Sequence, residues 1–204
     1  MDLNLYALEL LARDKLARAR AEAALHARVA RHATPRDGLD RRALTVRDAA
    51  EADLAQITAI WNHEVLWTDA TTDTEPRNAR AEREWFERHP ALYPIVVATT
   101  GGAVLAFGSL SPYRPKPAFA RTVEDSVYVE RRHRGEGLGG LILSELIRRA
   151  RAHGHRSVLA RITSGNRASM RLHTRHGFRL VGVEQQVAMR RGGWLDVTIM
   201  QLRL

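Results

Sequence analysis

Apolar positions along the chain change their period several times, and each change marks an element. Residues 3–33 are rich in Leu, Ala, Arg and Glu, with no Gly or Pro before Pro35, so they predict one long helix. Leu5, Leu8 and Leu11 make an apolar stripe at its start, and Leu25 and Val29 stand four apart near its end. Pro35, Asp37 and Gly38 break the pattern, so 34–42 reads as a linker. Residues 44–47 then predict a strand. Leu54, Ile57, Ile60, Trp61 and Val65 recur at helical spacing within 51–67, and a second helix is expected over 77–88, ahead of Pro90. Strands are expected at 93–99 and 104–110, joined by a Thr100-Gly101-Gly102 turn. A Pro-rich stretch, 112–120, leads into strand 122–129, a glycine-rich turn and helix 138–153, closed by Gly154. Strand 157–162, helix 168–176 closed by Gly177, and strands 178–187 and 194–202 complete the chain. This order, βααβββαβαββ, predicts an α/β domain over 43–204, a mixed sheet with helices on its faces, preceded by a helical extension over 1–42.

Composition narrows the picture. The 204 residues leave room for one domain of roughly 150 residues and an appendage. There is no cysteine, which excludes disulfides, thiolate metal sites and a cysteine acyl-enzyme. No apolar run approaches the ~18 residues of a membrane span. The first residues include Asp2 and Glu9 and lack the basic start of a secretory signal, so a cytoplasmic protein with no membrane partner is expected.

The net charge of +9 admits a nucleic acid, a membrane surface or an anionic ligand. Residues 1–42 hold nine Lys/Arg against six acids, so they form no special basic arm. They read as a helix packed on the body or on a partner subunit. There is no dense Lys/Arg block with interleaved aromatics, and nucleic acid is therefore not expected. A base composition that favours Ala and Arg codons, or a phosphorylated ligand, accounts for the charge. His153 and His155 lack a third ligand at useful spacing, so no metal is expected.

The most informative segment begins at Val127. Val127-Tyr128-Val129 ends a strand, and Arg134-Gly135-Glu136-Gly137-Leu138-Gly139-Gly140 opens a helix. Glycines let a backbone approach a ligand closely and adopt positive φ. The unpaired N–H groups of a helix's first turn, with its dipole, favour an anion. Arg131, Arg132 and Arg134 add charge, and a pyrophosphate suits such a turn. The Walker pattern GxxxxGK[S/T] is absent, and the glycine spacing is tighter than in a dinucleotide fingerprint. A helix start with surface arginines is the plain alternative.

Several motifs in order favour the ligand. Arg134-x-x-Gly137-x-Gly139 resembles the coenzyme A loop of the GNAT superfamily of N-acetyltransferases, and the segment from Asn166 through Ala168, Ser169, Leu172 and His173 to Gly177-Phe178 resembles their following helix. The nearest resemblance is to the phosphinothricin and amino-acid N-acetyltransferase branch. Its marks are Ile60-Trp61-Asn62-His63-Glu64-Val65, Asp73-Thr74-Glu75-Pro76, Thr122-Val123-Glu124 and Gly193-Trp194-Leu195-Asp196-Val197. The resemblance runs from about Leu44 to the C-terminus.

It implies a mixed sheet whose central strands, the one ending at Val129 and the one starting at Ser157, splay apart around acetyl-CoA. The backbone of Val127, Tyr128 and Val129 would pair with pantetheine, residues Gly135 to Gly140 would hold the pyrophosphate, and Asn166 would contact the pantetheine arm or cap its own helix. Glu124 matches the proposed base, and His173 stands where many relatives place a tyrosine, suited to protonating the thiolate or assisting the amine proton. Strand alternation puts the adjacent Asp125 on the opposite face from Glu124. Arg114, Lys116 and Phe119 fall at substrate-side positions, where cations would hold a carboxylate or phosphinate. Phe119, Ala120, Arg121 and Thr72 depart from the relatives' pattern, which bears on which amine is accepted.

The expected reaction is acetyl transfer to the amine of a small amino-acid-like molecule by a homodimer. Two rivals stay open: acetylation of a protein N-terminus or ribosomal protein, and a non-catalytic acyl-CoA-binding regulatory module.

Overall fold

The structure, a computed structural model, describes residues 41–204; the helix expected over 3–33 lies outside the described residues. The described residues form β1 (Thr45–Asp48), α1 (Leu54–Trp67), α2 (Ala79–Glu87), β2 (Ile95–Thr100), β3 (Ala103–Pro112), β4 (Thr122–Val129), α3 (Leu138–Ala152), β5 (Ser157–Thr163), α4 (Arg167–Arg175), β6 (Arg179–Arg190) and β7 (Gly193–Arg203). The seven strands make one sheet in the order β1-β2-β3-β4-β5-β7-β6. Neighbours run antiparallel except β4 and β5, which run parallel and are linked through α3. Among the described residues no helix is long and apolar enough to cross a membrane.

Local chemistry explains where the observed boundaries depart from the expected ones. Asp53 takes both Arg47 nitrogens, at 2.6 and 2.9 Å, and the Ala50 N–H, so 51–53 forms a separate 3-10 turn and α1 starts only at Leu54. Asn78 is extended and accepts from the Ala81 N–H at 2.9 Å, which makes it the N-cap and starts α2 at Ala79, two residues after the expected position. β6 continues past 187 because its register shifts between Glu184 and Ala188. Gln186 takes a φ of 49° there and donates its N–H to Asp196 Oδ1 at 2.8 Å; the bulge breaks the alternation that marks a strand.

Apolar side chains fill both faces of the sheet. On one, Ile142, Leu143 and Leu146 of α3 pack on Val123, Val158 and Met200. On the other, Ile57, Ile60, Trp61 and Val65 of α1, with Trp85 of α2, pack on Val97 and Phe107. Gly108 fixes how closely α3 can lie. A Cβ there would sit 2.5 Å from Ile142 Cγ2 and 2.7 Å from the Ser126 carbonyl oxygen, so only glycine lets helix and sheet approach this far.

The sheet then opens at its centre. β4 and β5 pair only from Thr122↔Ser157 to Asp125↔Ala160. Beyond that, Ser126–Val129 keeps only its β3 neighbour, and Arg161–Thr163 keeps only β7. The result is a slot whose walls offer backbone N–H and C=O groups that no strand takes up.

Candidate active site

At the wide end of the slot β4 leads into a 3-10 turn, Arg131–His133, and then into α3. Gly137, at φ 87°, precedes α3 and offers no side-chain cap; the Gly140 N–H turns back to the Gly137 carbonyl at 3.0 Å, so among the first-turn N–H groups those of Leu138 and Gly139 are left for a ligand. Gly135, at φ 86°, has no atom within 4 Å of where a Cβ would stand, which leaves space beside the backbone. Gly139 and Gly140 form the first turn itself, against Val127, Val129 and His176. The loop is fastened from several sides. The Glu130 carboxylate accepts from the Arg132 N–H at 2.8 Å, His133 Nδ1 lies 3.1 Å from Glu136 Oε2, and Arg41 donates to the Glu136 carbonyl at 3.0 Å. Leu138, the first residue of α3, is buried and anchors the turn in the core.

Arg134 does not simply add free charge. Its guanidinium pairs with Glu64 of α1 and donates through Nε to the Val129 carbonyl at 3.3 Å. Glu64 is only 3% exposed, and its second oxygen accepts from Thr68 Oγ1 at 2.9 Å. The glycine loop is thereby tied to α1, the helix on the opposite face of the sheet from α3. Glu64 carried no role in the sequence, because its partner lies 70 positions away.

Glu124 stands near the narrow end, one residue before the last β4–β5 pair. Burial pushes its carboxyl above the usual carboxylate range, and Arg161 pulls the other way. No described residue hydrogen-bonds it. Ser126 and Tyr128 follow on the same face. The Tyr128 ring stacks on Phe107 at 5.2 Å and meets Trp61 edge-on at 4.9 Å, so its side chain is structural, and burial raises its phenol. The Val127 and Val129 side chains turn the other way, toward Gly139 of α3.

Asp125 and His173 lie together on that other face. His173 Nε2 is 3.0 Å from Asp125 Oδ2, Nδ1 is 2.8 Å from the Ser169 carbonyl, and the imidazole meets Phe178 edge-on. His173 is 3% exposed. Burial works against an imidazolium, yet the Asp125 carboxylate outweighs it and holds the His173 pKa above its ordinary value. Both ring nitrogens face acceptors, which suits a doubly protonated ring. Glu124 and His173, paired as candidates from the sequence, are therefore on opposite faces of β4.

Asn166 caps α4, its Oδ1 accepting from the Ser169 N–H at 3.1 Å, and no described residue takes its amide nitrogen. In the loop between β3 and β4, Arg114 lies over the Tyr113 and Phe119 rings, at 4.9 and 5.5 Å from their centres. Lys116 is exposed and precedes the 3-10 turn Pro117–Phe119. The loop thus gathers Arg114 with Phe119 at the β4 end nearest Glu124.

A slot between splayed parallel strands, a glycine turn at a helix start at one end and a half-buried carboxylate at the other together match an acyl-transfer fold. The acetyltransferase (GNAT) family matches residues 58–178, and the chain belongs to that family: it is an N-acetyltransferase. An L-methionine sulfoximine/L-methionine sulfone acetyltransferase from Salmonella typhimurium is 43% identical over 167 residues, covering 79% of this chain and 95% of that one. A phosphinothricin N-acetyltransferase from Streptomyces coelicolor is 39% identical over 156 residues, covering 74% and 91%.

Among solved structures, a Salmonella typhimurium acetyltransferase with its cofactor acetyl-CoA superposes with a TM-score of 0.77 at 41% identity, covering 79% of this chain and 94% of that one. A ribosomal-protein-alanine N-acetyltransferase from Brucella melitensis gives 0.76 at 37%, covering 78% and 99%.

Proposed function

We propose that this chain transfers the acetyl group of acetyl-CoA to the α-amine of a small amino-acid-like substrate, in the class of methionine sulfone, methionine sulfoximine and phosphinothricin. The observation that carries this reading is Glu124, a half-buried carboxylate of raised pKa with no hydrogen-bond partner among the described residues, beside the point where β4 and β5 part. Gly135 to Gly140 hold the pyrophosphate through backbone N–H groups, and the open edges of Val127 to Val129 and the Asn166 amide take the pantetheine arm.

Glu124 accepts a proton from the arriving ammonium, directly or through one water. The freed nitrogen attacks the thioester carbonyl, a C–N bond forms and the C–S bond breaks. A β4 N–H at the slot steadies the oxygen as it gains charge. Two protons leave the nitrogen in all: one passes through Glu124 to solvent, and the other neutralises the departing thiolate. His173 serves this site by position, since both of its nitrogens are engaged; with Asp125 it pins α4 to β4 beside the slot. Arg114, Lys116 and Phe119 border the amine entrance.

The enzyme works in the cytoplasm as a homodimer. The second copy docks on the edge strand β6, where Leu180, Val181, Val183, Val187 and Met189 are exposed, with Trp194 of β7. Light scattering on the full chain and on Val181→Asp checks this: a dimer that the substitution splits is expected, and a monomeric parent overturns it.

The assay that tests the activity measures coenzyme A thiol release with methionine sulfone, methionine sulfoximine, phosphinothricin, the common amino acids and an alanine-initiated peptide. Turnover is expected on small amino acids above the peptide. Preference for the peptide would favour the ribosomal-protein reading that the Brucella relative's name raises. Binding of acetyl-CoA without turnover of any amine would sink the proposal.

A further inference from the structure

Arg161 is the first residue of β5 beyond the last β4–β5 pair, so it stands on the wall of the slot. Glu124 is in register with Leu159, and strand alternation puts Arg161 on the same face as both. Two residues along and one strand across separate the Glu124 and Arg161 Cα atoms by about 8 Å. Arg161 is the strongest charged influence on Glu124, ahead of Asp125 and Glu184.

The guanidinium is held from behind. Arg161 Nη2 lies 2.7 Å from Glu184 Oε2, and Glu184 stands on β6 just before the bulge that bends that strand. The pair is partly open, 37% and 43% exposed. No other described acceptor hydrogen-bonds the Arg161 side chain, so the rest of its planar donor fork is open to a ligand. The rival cation in the β3–β4 loop, Arg114, lies over Tyr113 and Phe119.

We propose that Arg161, braced by Glu184, is the residue that reads the α-carboxylate of the substrate. An α-amino acid carries its ammonium and carboxylate on one carbon. Glu124 faces the first and Arg161 the second, so charge and spacing on this face match a zwitterion rather than a simple amine. The guanidinium fork grips the two carboxylate oxygens and orients the amine toward the slot, which makes Arg161 a specificity residue. This rests on the amino-acid reading above.

The test compares three ligands of one side chain: the amino acid, its carboxamide and the amine lacking the carboxyl group. The parent enzyme is expected to favour the acid by about tenfold or more in kcat/KM, because the site is then fully paired. In Arg161→Gln that preference should fall to within about threefold, through the KM of the amino acid, with the KM of acetyl-CoA unchanged. Arg161→Lys should retain an intermediate preference, as a point charge in place of a fork. An acid preference that survives Arg161→Gln overturns the proposal, as does an equal loss on acid and amide. If the parent enzyme turns over no amino acid at all, the amino-acid reading fails first. If it acetylates amino acids without preferring acid to amide, only the role of Arg161 fails.

Discussion

Glu124 and Asp125 are neighbours on β4 with the same functional group, and the two faces of the strand treat them in opposite ways. Glu124 looks toward the α1 side of the sheet and has no hydrogen-bond partner among the described residues, with burial raising its pKa. Asp125 looks toward α3 and α4 and is locked to His173 at 3.0 Å. An unpartnered buried carboxylate is poised to take a proton; a paired one spends its charge on holding a helix. On the proposed reading, chemistry and positioning are divided between two adjacent residues by the alternation of one strand.

Four measurements would break or sharpen this contrast. The largest effect is expected on the Glu124 face. Glu124→Gln should lower kcat by about 10²- to 10⁴-fold while calorimetry shows unchanged acetyl-CoA affinity; a rate near that of the parent would remove Glu124 from proton transfer. On the other face, Asp125→Asn leaves the buried His173 charge unpaired, and should cost about 3–5 kcal/mol in urea unfolding. Should the variant unfold at the parent's urea midpoint, the pair would contribute nothing to holding α4.

Gly108→Ala probes the seat of α3 itself and should destabilise by about 1–3 kcal/mol, since Ile142 and the Ser126 carbonyl leave a methyl no room. The smallest effect is expected at the link between loop and helix. Glu64→Gln weakens the hold on Arg134 and should raise the KM of acetyl-CoA about three- to tenfold with kcat little changed; a fall in kcat alone would mean that Glu64 acts on the amine.

The same two faces give opposite pH behaviour. Glu124 must be ionised to accept a proton, so kcat/KM should rise with pH through a value above the ordinary carboxylate pKa of about 4.3. His173 has a raised folded-state pKa. Its contribution to stability is complete below the unfolded value of about 6.5 and is lost as pH rises through the folded one. Unfolding midpoints across that window should therefore decline in the parent and stay flatter in His173→Gln.

Some of this was legible because it is local. The order of strands and helices followed from apolar spacing, the turn into α3 from glycines beside a helix start, and the opposed directions of Glu124 and Asp125 from the period of a strand. The boundary of α2 moved because a side-chain cap at Asn78 outweighed the apolar pattern, and β6 ran on because a bulge at Gln186 disguised it.

What the chain alone determined, then, is the class of protein and the residues at each end of a slot, since these lie within contiguous motifs whose physics is short-range. Only tertiary structure decided what surrounds them. Arg134 meets Glu64 across 70 positions, His173 meets Asp125 across 48, and Arg161 reaches Glu184 across 23. Charges of either sign are plentiful in this sequence, and residue type does not say which pair meets. That choice is made by sheet register and by which face of each strand a helix covers.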